Sequence, residues 1–317
     1  MKDRLLLAIK GVAIFGVAVH HIANRRFDPQ ANHWLGFLSF SFDWCVLAFF
    51  CVSGYLHALS DQKRKKPATD FIIKRARRLL APFVLLVIFY ACIWQLLEIL
   101  KIPDIATKVP SGFFDKIITS LWPVYHPVAE QLYFLPMLFG ASVLFILIQR
   151  ALGLYGVATL AAGTFLTGLI LFPGAFTGFT LGVFIWGLCF YAGGYLLYQF
   201  RDQKKRVEIV VLVVSLALIV ATGAAGVVHA VPLLLICYGS WLALDRSSLL
   251  INTGEASGTI YIYHTPFLIQ PLVIIASHFH SAPLQVLGGI VAALISIALC
   301  YALHFSLKGT KAEVILI

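Results

Sequence analysis

Charge is what this sequence has least of. Only 12% of its 317 residues are Asp, Glu, Lys or Arg, and 60% are hydrophobic. Soluble domains carry about 25% charged and about 45–50% apolar residues. A water-soluble chain of this length could not cover so much apolar surface, so the bilayer must solvate most of it. Acidic residues are scarcer than basic ones, 14 against 24, which leaves a formal net charge of +10. In a soluble protein that balance would point to nucleic acid. Here most basic residues stand in short segments between apolar runs, the positive-inside pattern of cytoplasmic loops, and no nucleic-acid partner is expected. Clustered cysteine is also lacking. Cys45, Cys51, Cys92, Cys189, Cys237 and Cys300 each sit inside an apolar run without paired spacing. That excludes a disulfide framework or a zinc site and leaves small buried hydrophobes; no metal is expected. No internal repeat stands out. No small-residue cleavage pattern interrupts the apolar run from Leu5 to Ile22, which is expected to be a first span rather than a cleaved leader.

What the sequence does have is long apolar runs. A span needs about 20 apolar residues. Candidates lie near 5–23, 38–59, 79–98, 131–149, 152–172, 179–199, 207–223, 228–244, 258–278 and 284–307. The expectation is an all-α integral membrane protein, a bundle of about ten transmembrane helices forming a single domain over residues 1–317, with the lipid bilayer as its solvent. The loops orient it. Lys63–Lys66 and the basic residues from Lys74 to Arg78 lie between the second and third runs, Arg201–Arg206 between the sixth and seventh, and Lys308 and Lys311 follow the last. With ten spans all of these fall on one side, so both termini are expected in the cytoplasm. Arg25 and Arg26, in the first outer loop, depart from the pattern. The longest outer segment, about 100–130, is polar and proline-containing, and is expected to be wet.

Ionisable residues at membrane depth are costly and usually face the bundle interior or a wet cavity. Few occur here. Lys10 and His21 are eleven residues apart on one helix. Eleven steps make three turns plus ~20°, so both share a face, about 16 Å apart along the axis. His20 points ~100° away. A neutral His21 near the outer end could serve as a general base; equally, both histidines could make routine interfacial hydrogen bonds while Lys10 snorkels. Asp43, near the outer end of the second run and close in depth to His21, could orient an imidazole or simply sit in water. Ser53 and Gly54 allow a neighbouring helix to approach closely. Lys74-Arg75-Ala76-Arg77-Arg78 opens the third run, where cations do not favour the helix dipole. The cluster serves topology, anionic lipid or a phosphate-bearing ligand. Glu130 and Tyr133 share a face at the start of the fourth run, and His264 lies in an apolar context ahead of Pro266.

In order along the chain, these residues resemble acyltransferase family 3, a family of membrane O-acyltransferases. Lys10 and His21 stand where the family carries an Arg and a His eleven residues apart. Phe49, Phe50, Ser53 and Gly54 match its Phe-Phe-x-x-Ser-Gly motif. Arg75, Arg77, Arg78 and Pro82 look like its third-span basic cluster. Glu130, Gln131 and Tyr133 look like a fourth motif, and Ser257, Ile260, Tyr261 and His264 like a late Ser-x-x-Ile-Tyr-x-x-His segment. One departure is Lys10 in place of Arg, a point charge in place of a bidentate fork.

The resemblance implies transfer of an acyl group, acetyl being the expected one, from cytoplasmic acyl-CoA to a hydroxyl of a cell-surface carbohydrate or glycolipid, at the inner (plasma) membrane. It implies His21, Glu130 and Lys10 as catalytic residues, and Arg75, Arg77, Arg78, Ser53 and His264 as contacts to the acyl-CoA co-substrate. Trp122, Tyr125 and His126 in the outer loop either stack on a sugar or anchor at the interface. The rival classes are a polytopic transporter or proton-coupled permease, since buried Lys, Glu and His also build proton relays, and a catalytically inactive relative.

Overall fold

The structure, a computed structural model, describes residues 4–23, 29–63, 67–100, 112–121, 130–172, 181–264 and 268–310. These form α1 (Arg4–Ala23), α2 (Pro29–Ser41), α3 (Trp44–Lys63), α4 (Ala68–Ile99), α5 (Phe113–Leu121), α6 (Phe134–Leu171) and α7 (Leu181–Gln199). There follow α8 (Lys204–Thr222), α9 (Ala224–Tyr238), α10 (Ser248–Glu255), α11 (Ser257–Tyr263), α12 (Ile269–Ser277) and α13 (Ala282–Leu307). Short 3₁₀ turns join some of them, and no strand occurs among the described residues. Among those residues six helical stretches are long and apolar enough to cross a membrane: Arg4–Ile22, His33–Gln62, Ala68–Ile99, Phe134–Leu171, Leu181–Gln199 and Ala282–Leu307. The chain gathers into two compact units, Met1–Leu59 with Phe190–Ile317, and Ser60–Cys189.

The first unit is built around α1. This helix is apolar on nearly every side, as a helix buried on all sides must be. Leu6, Ile9, Ala13, Ile14 and Val17 pack with Trp44, Cys45, Ala48 and Val52 of α3 and with Ala256 and Ile260. One level on, Ala18, Val19 and Ile22 pack with Ala31 and Leu35 of α2, Ile269 and Val273 of α12, and Ala292 and Ala293 of α13. In a bilayer the lipid is as apolar as these side chains, so close fit rather than water exclusion drives such packing. The fit is tightest where α1 crosses α10. A Cβ on Gly11 would collide with the Leu250 carbonyl, and one on Gly254 with the Leu7 carbonyl. Gly54 of α3 meets the Tyr191 carbonyl of α7 in the same way, and Gly194 meets that of Cys51. The small-residue reading of the Ser53-Gly54 pair describes this second crossing.

One sequence expectation changes. The run 38–59 is not one helix: α2 and α3 break at Phe42–Asp43, where a tight turn is closed by Phe42 N–H to Ser39 O at 2.9 Å and Cys45 N–H to Phe42 O at 2.9 Å. The run 258–278 falls on α11 and α12, with residues 265–267, Pro266 among them, outside the described residues. The 100–130 segment holds a helix, α5. In addition α10, which no apolar run announces, packs on α1, with Ser247 capping it by accepting from Leu250 N–H at 3.3 Å.

In the second unit, α6 is not a straight rod. Gly153 interrupts it with φ 62° and ψ −149°, a region open essentially to glycine alone. Gly140 and Gly168 both face the same stretch of α7, Gly140 against Phe184 and Gly168 against Trp186. In a straight helix those glycines would stand ~40 Å apart. The two halves therefore lie side by side as a helical hairpin. Gly223, with φ 60° and ψ −129°, joins α8 to α9 in the first unit by the same device.

Candidate functional site

The C-terminal end of α1 carries His20 and His21. As neighbours in a helix they diverge by ~100°, and each ring meets a different element. His20 turns to the α2–α3 corner. Its Nδ1 lies 2.8 Å from Ser39 Oγ and 3.0 Å from Asp43 Oδ1. The hydroxyl is the aligned hydrogen-bond partner. Asp43 Oδ1 is buried without a hydrogen bond of its own and acts as a close negative charge. Asp43 thus sits against His20 rather than against His21, because α2 runs along the His20 side of α1. Sequence reasoning passed over Ser39, whose contact with His20 is made by tertiary packing.

His21 turns instead to the end of α11. Its ring centroid is 5.2 Å from that of His264, tilted by 54°. His264 is fully buried. Its Nδ1–H donates to the carbonyls of Ile260 at 2.7 Å and Tyr261 at 3.0 Å. Carbonyls only accept, so Nδ1 carries a proton, and in the neutral ring Nε2 holds the lone pair. A neutral imidazole with its proton committed to the backbone avoids burying a charge at membrane depth. The Tyr261 ring lies 6.4 Å from His264, and the His20 ring 5.7 Å from His21. One level deeper, buried Thr259 of α11 pairs with His304 Nδ1 of α13 at 3.0 Å. An imidazole-rich seam thus runs between α1, α11 and α13.

The remaining residues singled out from sequence divide between the two units. Lys10, half-buried, precedes the Gly11 crossing on α1, three turns below His21. Ser53, half-buried, adjoins the Gly54 crossing. Arg75, Arg77 and Arg78 belong to the second unit, early in α4; Arg77 and Arg78 are exposed and Arg75 lies over the Phe71 ring at 5.4 Å. Glu130 opens a 3₁₀ turn, Glu130–Tyr133, that leads into α6; its side chain and that of Gln131 lie outside the described residues. So do Trp122, Tyr125, His126, Arg25 and Arg26. The described residues bring together His21 and His264, with His20, Ser39 and Asp43 beside them.

Long apolar helices with histidines buried between them define a multi-pass membrane protein. A family model for an acyltransferase domain, that of acyltransferase family 3, matches residues 6–305, and the chain belongs to this acyltransferase family. No curated protein and no solved structure matches it.

Proposed function

We propose that this protein is an O-acyltransferase of the inner (plasma) membrane that moves an acetyl group from cytoplasmic acetyl-CoA to a hydroxyl of a cell-surface carbohydrate or glycolipid. The observation that carries the reading is the half-buried His21 facing the buried His264 in a chain that belongs to an acyltransferase family. In this reading His21 takes the proton of the acceptor hydroxyl as its oxygen attacks the thioester carbonyl. The C–S bond then breaks and the proton follows to the departing CoA thiolate. His264, with Nδ1–H fixed on α11, presents a basic Nε2 beside it. Lys10 and Glu130 assist at the acyl group, Ser53 lines its path, and Arg75, Arg77 and Arg78 hold the CoA phosphates, as guanidinium groups do well.

The topology that suits this chemistry is ten crossings with both termini in the cytoplasm. Supporting it are the hairpin at Gly153, which divides α6 into two crossings, the hairpin α8–α9, and the segment from α10 to α12 counted as one crossing. It brings Arg75, Arg77 and Arg78 to the cytoplasmic face, where acyl-CoA is found, and the end of α1 toward the outer face, where a surface glycan is presented.

The test is thiol release from acetyl-CoA by the purified protein in nanodiscs, with a crude glycan extract as acceptor. The reading requires release that depends on the extract and is lost in His21→Ala. Folded protein that releases no thiol from any short-chain acyl-CoA would overturn it.

A further inference from the structure

The second unit holds a short helix whose position and surface call for a partner. The apolar part of α4 begins at Leu79, just after Arg75, Arg77 and Arg78. About 20 helical residues cross the ~30 Å hydrocarbon core, which brings the far boundary to the turn of Gln95 and Glu98. On that turn Lys116 of α5, only 2% exposed, donates to Gln95 Oε1 at 3.1 Å and to Glu98 Oε2 at 2.7 Å. A buried ammonium persists only when well paired, so this clamp fixes the depth of α5 at the end of a membrane-crossing helix. Lys116 and Ser120 form the inward face of α5. The opposite face carries Phe114, Ile118 and Leu121 at helical spacing, exposed by 74, 65 and 42%. Ile99 and Leu100 at the end of α4 are exposed as well. An apolar stripe of this kind, held at the depth where hydrocarbon gives way to headgroups, matches an interfacial helix.

We infer that α5 is a membrane-surface anchor: it lies in the headgroup region of the leaflet opposite the Arg75–Arg78 end of α4, with Phe114, Ile118 and Leu121 embedded in lipid and Lys116 fixing its depth. The occupant of the stripe is the bilayer, because the clamp ties α5 to the point where α4 leaves it. This inference stands independently of the acyl-transfer reading.

Nitroxide scanning in nanodiscs tests it. Single cysteines at 114, 115, 118, 119 and 121 are introduced into a background without native cysteines, with Cys92, exposed on α4, retained alone as the hydrocarbon reference. The ratio of oxygen to nickel-chelate collisions is expected to peak at 114, 118 and 121 and to fall several-fold at 115 and 119. Lys116→Met is expected to flatten that periodicity. A water-like ratio at all five sites would overturn the proposal, as would a stripe shielded from both reagents, which would mean a protein covers it. An unaltered profile in Lys116→Met would overturn the clamp. Should the cysteine-free background not fold, Ile118→Trp in the native chain replaces the scan. Brominated lipid must then quench more fluorescence than in the parent, and no added quenching refutes the anchor.

Discussion

His21 and His264, drawn from opposite ends of the chain, face each other with ring centroids 5.2 Å apart. Side chains in contact couple, and if both rings serve one step the effects of replacing them are not additive. His21→Ala is expected to lower turnover by about 10²–10⁴-fold, the usual contribution of a general base, with the protein still folded. His264→Gln should cost less. The double variant should be no slower than His21→Ala alone. Measured rates that multiply would mean that the two rings serve separate steps.

The carboxylate of Asp43 lies against His20, so these two residues should behave as supports of the α1–α2 corner. Asp43→Asn keeps the shape and removes the charge. Because the His20 and Asp43 side chains are 27% and 13% exposed, the interaction is discounted to about 1 kcal/mol. The expected result is a Tm lower by a few degrees and a kcat within about tenfold of the parent. An unchanged Tm with turnover as low as that of His21→Ala would instead make His20 the base.

Arg75, Arg77 and Arg78 give a prediction that separates binding from chemistry. Replacing any one by Gln should raise KM for acyl-CoA and leave kcat nearly unchanged, since uniform binding is what would be removed. A hydrogen bond to a charged partner is worth roughly 1.5–3 kcal/mol, or about ten- to a hundredfold. Arg77 and Arg78, exposed, should show this most cleanly; Arg75 also covers Phe71 and should lose some stability too. A fall in kcat with KM unmoved would place the cluster elsewhere in the mechanism.

Much of this arrangement was legible because it follows from local rules. Apolar run lengths announced the membrane, and the eleven-residue spacing separated His21 from His20 before any contact was known. The family's motifs selected His264 from among several histidines. Its meeting with His21 is a matter of tertiary packing across almost the whole chain, which no local pattern encodes. Asp43 was singled out correctly for its depth. Its partner depends on the side of α1 along which α2 packs, and the break at Phe42–Asp43 that allows this is hidden inside a continuous apolar run. The helix α5 escaped notice for the opposite reason. Nine residues in a proline-containing loop are too few to register as a span, and its buried Lys116 looks like any loop lysine until Gln95 and Glu98 are placed beside it.

Two glycines of different kinds allow backbone conformation to be separated from packing. Gly153 has φ 62° and ψ −149°, and a Cβ there would meet nothing within 4 Å. Gly153→Ala therefore introduces backbone strain alone, of about 1–3 kcal/mol. It should lower Tm by several degrees and leave kcat close to that of the parent. Gly11 lies inside a regular helix, but its Cβ would strike the Leu250 carbonyl, which is backbone and cannot rotate aside. Gly11→Ala must push α1 away from α10. Since α1 positions both His20 and His21, catalysis should fall together with stability, by more than tenfold in kcat, because displacements of about 1 Å at a reacting centre cost on the order of 10²-fold. Paired melting curves and thiol-release rates on the two variants check this. Equal losses of activity in both would show that global stability, and not the placement of α1, governs turnover.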